Sequence, residues 1–170
     1  MFIDHYNHFK NLVSETYPDT RIVIENRAMS QYHKGDFLIT DDKDIHKLLK
    51  KIKDDQIDLY LMLDIPQLFT SLGGIDNLTM NDIEEAFHLF EDYKELIIGI
   101  HIWGRDRQSH RGDLDSLFND DTEMKEEFLE FISEYLNDGH PRYLIPEVNF
   151  SSQEIFNSII EDLREYFIFL

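Results

Sequence analysis

Four residues that could bind a metal ion occur at matching places along the chain, each just after a short apolar segment. They are Glu25, Asp64, His101 and Glu147. Three carboxylates and one imidazole form a hard, oxygen-rich set of donors, which suits Mn²⁺, Mg²⁺ or Co²⁺ and also permits Zn²⁺ or Fe²⁺. The pattern predicts one shared divalent metal site, provided that the fold brings the four side chains together.

A single acidic residue after a strand carries little information in this chain, because 35 of its 170 residues are Asp or Glu. The recurrence of a potential ligand after all four apolar segments, once as a histidine, favours a shared site over chance. In parallel α/β folds the carboxyl ends of the strands meet at one edge, and that edge is where functional sites are built.

The apolar segments that precede these residues are predicted to be β-strands at 22–24, 59–63, 96–100 and 143–145. They are near-continuous apolar runs, which is typical of parallel strands buried on both faces. Helical periodicity fills the intervals, with helix starts predicted at 40–41, at the Thr79–Asp82 capping box and at 151–154. The chain from His101 to about Asp121 is predicted to be a long polar loop. The alternation indicates an α/β fold, with residues 1–170 as a single domain.

The charge balance disfavours one class of partner. The chain has 16 Lys and Arg against 35 Asp and Glu, a formal net charge of -19. Such a surface repels phosphate backbones, so long nucleic acids are not expected as ligands. The absence of cysteine is consistent with a reducing compartment, and we expect a cytoplasmic protein. No signal peptide and no apolar run of about 20 residues is visible, so no membrane association is expected.

Five segments resemble one protein superfamily, the xylose-isomerase-like barrels, which includes sugar isomerases, epimerases and nucleases of the endonuclease IV type. Each segment alone is weakly specific, but all five occur in the order of the superfamily and cover nearly the whole chain. They are IVIEN at 22–26, LDIPQLF at 63–69, GIHIWG at 99–104, SHRGDL at 109–114 and IPEVN at 145–149.

The resemblance implies a fold, a metal site and a reaction. The fold would be the C-terminal half of a (β/α)₈ TIM barrel, with four parallel strands each followed by a helix. Glu25, Asp64, His101 and Glu147 match the single-metal site of the epimerases in this superfamily. Glu25 and Glu147 would then move a proton between carbons of a small sugar or polyol while the metal polarises its carbonyl group.

The sequence departs from the superfamily pattern at two places. Gln67 stands where a histidine often follows the aspartate by three residues, and an amide is a poor metal ligand although it can hydrogen-bond a hydroxyl group. The Asp-x-His loop of the nucleases is matched only loosely, by His110 and Asp113. Both departures weaken the interpretation as a multi-zinc nuclease.

Several residues near these segments are predicted to contact substrate, although each also has a structural interpretation. Gln67 could bind a hydroxyl group, Arg107 could bind a substrate oxygen, and Trp103 could form the floor of a sugar pocket or simply pack. His110 and Asp113 lie in the predicted loop and could add a ligand or a substrate contact. Two asparagines that follow ligand positions, Asn26 and Asn149, could orient those ligands.

Three functions therefore stay open. The first is a metal-dependent sugar isomerase or epimerase. The second is an abasic-site phosphodiesterase, which the charge disfavours. The third is a non-catalytic half-barrel that acts as a scaffold. A barrel of eight strands needs more chain than these 170 residues provide. We therefore expect a homo-oligomer that closes the barrel, an N-terminal half supplied elsewhere, or an open, doubly wound sheet.

Overall fold

A computed structural model describes residues 2–28, 31–32, 35–36, 39–105, 111–148 and 153–169. The helices are α1 Phe2–Thr16, α2 Asp42–Asp54, α3 Ile65–Ser71, α4 Met80–His88, α5 Leu114–Leu117, α6 Thr122–Tyr135 and α7 Gln153–Tyr166. The strands are β1 Val23–Glu25, β2 Gln31–Tyr32, β3 Gly35–Asp36, β4 Tyr60–Asp64, β5 Ile97–Ile102, β6 Gly104–Arg105, β7 Arg111–Gly112 and β8 Tyr143–Pro146. Two 3₁₀ helices, Ile75–Asn77 and Glu91–Leu96, complete the described elements.

The central feature is a parallel sheet of four strands in the order β1-β4-β5-β8. Every neighbouring pair in it is parallel, and helices connect its strands. The strand order follows the chain order without reversal, unlike a doubly wound sheet, in which the order reverses at a switch point. The predicted α/β class and its four parallel strands are therefore confirmed.

The two faces of this sheet differ because successive side chains of a strand point to opposite sides. On one face, Ile24, Leu61, Leu63, Ile100 and Ile102 pack into the main core with residues of the helices. Large aromatic side chains fill that core, among them Phe69, Phe87, Phe118 and Phe128. This packing joins the helices to that face of the sheet.

The opposite face carries Glu25, Asp64 and His101, and it is less well covered at its edges. Val23 on one edge strand and Tyr143 on the other are exposed to 37% and 63%. The prediction of strands buried on both faces is thus wrong for the edge strands. An edge strand has a neighbour on one side only, so an apolar sequence alone does not bury its second face.

Helix starts follow local capping chemistry. Asp41 caps α2 by accepting a hydrogen bond from the Asp44 amide, and Thr79 and Asp82 form the predicted capping box of α4. The capping box predicted at 151–154 lies partly outside the described residues. None of the helices in the described part of the chain has the length and apolar composition that a membrane crossing requires.

The predicted long loop after His101 is wrong in its described part. Two short antiparallel strands, β6 and β7, form a hairpin there, and α5 follows. Gly104 is required in this hairpin because a Cβ atom at this position would overlap the main chain of Asp113 and the side chain of Ser116. The hairpin therefore lies directly on the start of α5.

Candidate functional site

Three of the four predicted metal ligands meet at the carboxyl edge of the sheet. Ligand atoms of Glu25, Asp64 and His101 all lie within 4.8 Å of one another. The sheet register explains this, because Asp64 pairs with His101 across β4 and β5, and Glu25 ends the neighbouring strand β1. All three side chains point to the same face, opposite the helices.

Asp64 is the most constrained of the three ligands. It is 1% exposed, and its carboxylate accepts a 3.0 Å hydrogen bond from the Gln67 amide, which makes it the cap of α3. The side chain of Asn26 accepts from the Asp64 amide at 2.8 Å and donates to the Asp64 carbonyl at 3.0 Å. Asn26, itself buried, therefore holds the end of β4 against the end of β1.

The three groups differ in how their surroundings shift their pKa values. Burial is the main cause that raises the pKa of Asp64 to about 7, and the nearby carboxylates of Glu25 and Glu147 contribute to this rise. The interaction between Glu25 and His101 raises the pKa of the imidazole and lowers the pKa of the Glu25 carboxyl. Nδ1 of His101 is 3.7 Å from Oε1 of Glu25, which is an ion-pair distance longer than a hydrogen bond. A cation among these groups would relieve the mutual repulsion of the carboxylates.

Glu147 lies near this cluster but is not among the ligand atoms that are mutually close. Its Oε1 forms an ion pair with Nη1 of Arg111 on β7, while its amide donates to the Ile102 carbonyl at 3.2 Å and so continues the sheet. The Arg111 guanidinium lies 4.8 Å from the centre of the Trp103 ring. Arg111 belongs to the SHRGDL segment at 109–114, but nothing in the sequence predicts its contact with Glu147.

Three polar atoms in this region are buried without a hydrogen-bond partner in the described structure. They are Nδ1 of His101, Oε2 of Glu147 and Nε1 of Trp103. Buried polar atoms are normally hydrogen-bonded, so each such atom requires an explanation such as a bound ion or water molecule. Two of the three atoms belong to predicted metal ligands, and both could coordinate a cation. The donor set therefore fits a divalent metal.

The residues predicted to contact substrate do not form one group in the described structure. The side-chain oxygen of Gln67 accepts a hydrogen bond from the Ala28 amide at 3.1 Å. Trp103 is buried and lines a cleft of about 370 Å³, together with Arg105 and residues of α3 and α5. Asp113 caps α5 by accepting from the Ser116 amide at 3.0 Å. Arg107, His110 and Asn149 lie outside the described residues.

Comparisons with known proteins do not extend this description. No protein-family model matches the chain, and a search of curated proteins found no match.

Proposed function

We propose that the chain binds one divalent cation through Glu25, Asp64 and His101, with Glu147 as the fourth ligand. The observation that carries the proposal is the convergence of three potential ligands within 4.8 Å at the ends of three adjacent parallel strands. Three oxygen donors and one nitrogen donor favour Mn²⁺, Mg²⁺ or Co²⁺, and Zn²⁺ is also acceptable.

We propose further that the reaction is a proton transfer on a small sugar that carries a carbonyl group, as in an isomerase or epimerase. A bound divalent ion would supply polarisation of the carbonyl, which acidifies the neighbouring C–H bond. Glu25 and Glu147 stand at the two edges of the sheet, so one carboxylate could take a proton from carbon while the other returns one. The lowered pKa of Glu25 keeps its carboxylate ionised, which is the form that a metal ligand or a base requires.

The complete enzyme, in this proposal, is a (β/α)₈ barrel of which this chain supplies one half. The support is the sequential order of the parallel strands, with the ligands on the face that would line a barrel. The large exposed apolar residues of the described chain also lie in its first and last parts rather than in the middle. They are Phe9, Leu12, Tyr17, Val23, Tyr143, Phe156, Ile168 and Phe169. Four more strands would cover both edges, and a second copy of the chain is one source of them.

Metal binding is tested first. Isothermal titration of the metal-free chain with Mn²⁺ should give one site per chain, and Glu25→Gln should weaken binding by at least about tenfold. Glu127→Gln, which removes an exposed carboxylate on α6, is the matched control and should bind like the wild type. Absence of Mn²⁺ binding by the wild-type chain would reject the metal site.

Proton transfer is tested separately. The metal-loaded protein is incubated with aldoses, ketoses and polyol-derived ketones in D₂O, and deuterium incorporation at carbon is followed by NMR. Glu25→Gln and Glu147→Gln should each abolish the incorporation. Metal binding without any exchange would instead favour the non-catalytic half-barrel. Sedimentation of the same sample distinguishes a monomer from a dimer that closes the barrel.

A further inference from the structure

The ion pair between Arg111 and Glu147 explains why one predicted ligand is separated from the other three. Oε1 of Glu147 is bound to Arg111, whereas Oε2 is buried and has no hydrogen-bond partner in the described structure. Glu147 is nevertheless close enough for its charge to raise the pKa of Asp64 and of His101. Its carboxylate thus lies between Arg111, to which it is bound, and the place where the other ligands converge.

The hairpin that carries Arg111 places positive charge there at a cost. Arg105 and Arg111 are direct partners across β6 and β7, and like charges opposite one another destabilise an antiparallel pair. Both guanidinium groups lie near the Trp103 ring, at 6.0 Å for Arg105 and 4.8 Å for Arg111. Only Arg111, of these two, forms an ion pair with a carboxylate within the described chain. The hairpin therefore holds a cation against Glu147 although its own pairing would favour a neutral residue.

We propose that Arg111 is a tethered cation that competes with the divalent metal ion for Glu147. In the metal-free protein Arg111 holds Glu147 aside, and metal binding breaks this ion pair and brings Glu147 to the other ligands. The inference rests on the proposed metal site and adds a residue that sets its affinity. Arg111 is a positioning residue in this scheme, because it acts through Glu147 and does not touch the metal.

The competition predicts that removing Arg111 strengthens metal binding. Isothermal titration with Mn²⁺ is carried out on the wild type, Arg111→Gln and Arg105→Gln. Because a ligand that must first be released lowers the apparent affinity, Arg111→Gln should bind Mn²⁺ about tenfold more tightly than the wild type. Arg105→Gln removes the same charge from the same hairpin without touching Glu147, and its affinity should change by about twofold at most at physiological ionic strength.

A double variant tests whether the effect passes through Glu147. Glu147→Gln should bind Mn²⁺ more weakly than the wild type, and adding Arg111→Gln to it should change the affinity no further. Independent action of Arg111 through its charge alone would instead make the double variant bind more tightly than Glu147→Gln. That result would overturn the proposal.

Tryptophan fluorescence provides a second measurement, and its decisive outcome is observed on the wild-type chain. Trp103 is the only tryptophan, and the Arg111 guanidinium lies on its ring. Mg²⁺ should shift Trp103 fluorescence in the wild type as Arg111 leaves Glu147, and it should cause a much smaller shift in Arg111→Gln. An unchanged emission at saturating Mg²⁺ would contradict the proposal.

The outcomes separate this inference from the metal site on which it rests. If Glu25→Gln weakens Mn²⁺ binding but Arg111→Gln binds as the wild type or more weakly, the site stands and the competition is refuted. If neither the wild type nor Arg111→Gln binds Mn²⁺, both proposals fail together.

Discussion

Two arginine–carboxylate pairs flank strand β8, and they differ in how completely the arginine is satisfied. Before the strand, the Arg142 guanidinium donates two hydrogen bonds of 2.6 Å to the Asp138 carboxylate and is 5% exposed. It also donates to main-chain carbonyl oxygens, which belong to Lys94, Ile97, Leu136 and His140. After the strand, Arg111 contacts Glu147 through one nitrogen and is 32% exposed.

The difference gives Arg142 a structural role and leaves Glu147 available for the ligand role that we propose for it. Arg142 joins the start of β8 to the start of β5 and to the end of α6, and a planar fork of donors suits this task. Glu147 keeps one buried oxygen without a partner, and it lies at the edge where the other potential ligands converge. Incompletely satisfied polar groups are expected where a protein binds something else. The amino edge of the sheet is thus built for stability, and the carboxyl edge is where we propose that the metal ion binds.

The largest effect is expected at Arg142, on the amino edge of the sheet. Arg142→Ala should lower the free energy of unfolding by about 3 kcal/mol, because several main-chain carbonyls lose their donor and Asp138 loses its partner. Urea denaturation followed by circular dichroism measures the change. Arg111→Ala removes an ion pair whose two side chains are about one-third exposed, and it should cost less than about 1 kcal/mol. Equal losses would show that the two pairs do not differ in the way their contacts suggest.

A smaller loss of stability is expected where Asn26 connects the ends of β1 and β4. Asn26→Ala should lower the free energy of unfolding by about 2 kcal/mol, because the amide and carbonyl of Asp64 lose buried hydrogen bonds. The same change should weaken Mn²⁺ binding by about tenfold, since Asp64 is then held less firmly. Asn81→Ala is the matched control, because the exposed Asn81 amide bonds only to Glu85 in the described structure. It should leave both quantities nearly unchanged.

The main elements could be predicted from sequence because their signals are local. The apolar runs at 59–63 and 96–100 correspond to β4 and β5 within two residues at each end, and the Thr79–Asp82 capping box begins α4. The convergence of Glu25, Asp64 and His101 also followed from a general rule, since parallel strands in one sheet end at the same edge. No tertiary detail was needed for either prediction.

The remaining features depend on contacts between distant parts of the chain. Strands β6 and β7 have two residues each, too few for an alternation pattern, so the hairpin was predicted as loop. The contact of Arg111 with Glu147 is set by how that hairpin folds over the end of β8, which no spacing encodes. The sequence also did not show that the side chains of Gln67 and Asp113, predicted to contact substrate, accept hydrogen bonds from the main chain.

The buried carboxylate of Asp64 at the carboxyl edge should lower the stability of the metal-free chain when it is ionised. Its pKa is about 7 in the folded chain against an ordinary value of 3.8, so between these pH values the folded state holds a proton that the unfolded state has lost. The stability of the metal-free chain should therefore fall as pH rises through this window. Asp64→Asn keeps an oxygen that can cap α3 and removes the charge. It should raise the free energy of unfolding at pH 8 by about 1–3 kcal/mol, while Mn²⁺ binding is lost.

Asp82→Asn provides a control of opposite sign for the same substitution. Asp82 also accepts hydrogen bonds at a helix start, but it is exposed, and its bonds to Thr79 lower its pKa. Its contribution to stability is present above its ordinary pKa and is lost as pH falls, so Asp82→Asn should reduce the stability at pH 8 slightly. Unfolding by urea in the presence of EDTA at pH 5 and pH 8 measures both variants. If Asp64→Asn also destabilised the metal-free chain at pH 8, the Asp64 carboxylate would stabilise a helix start as Asp82 does, and the carboxyl edge would lose its distinction from the rest of the fold.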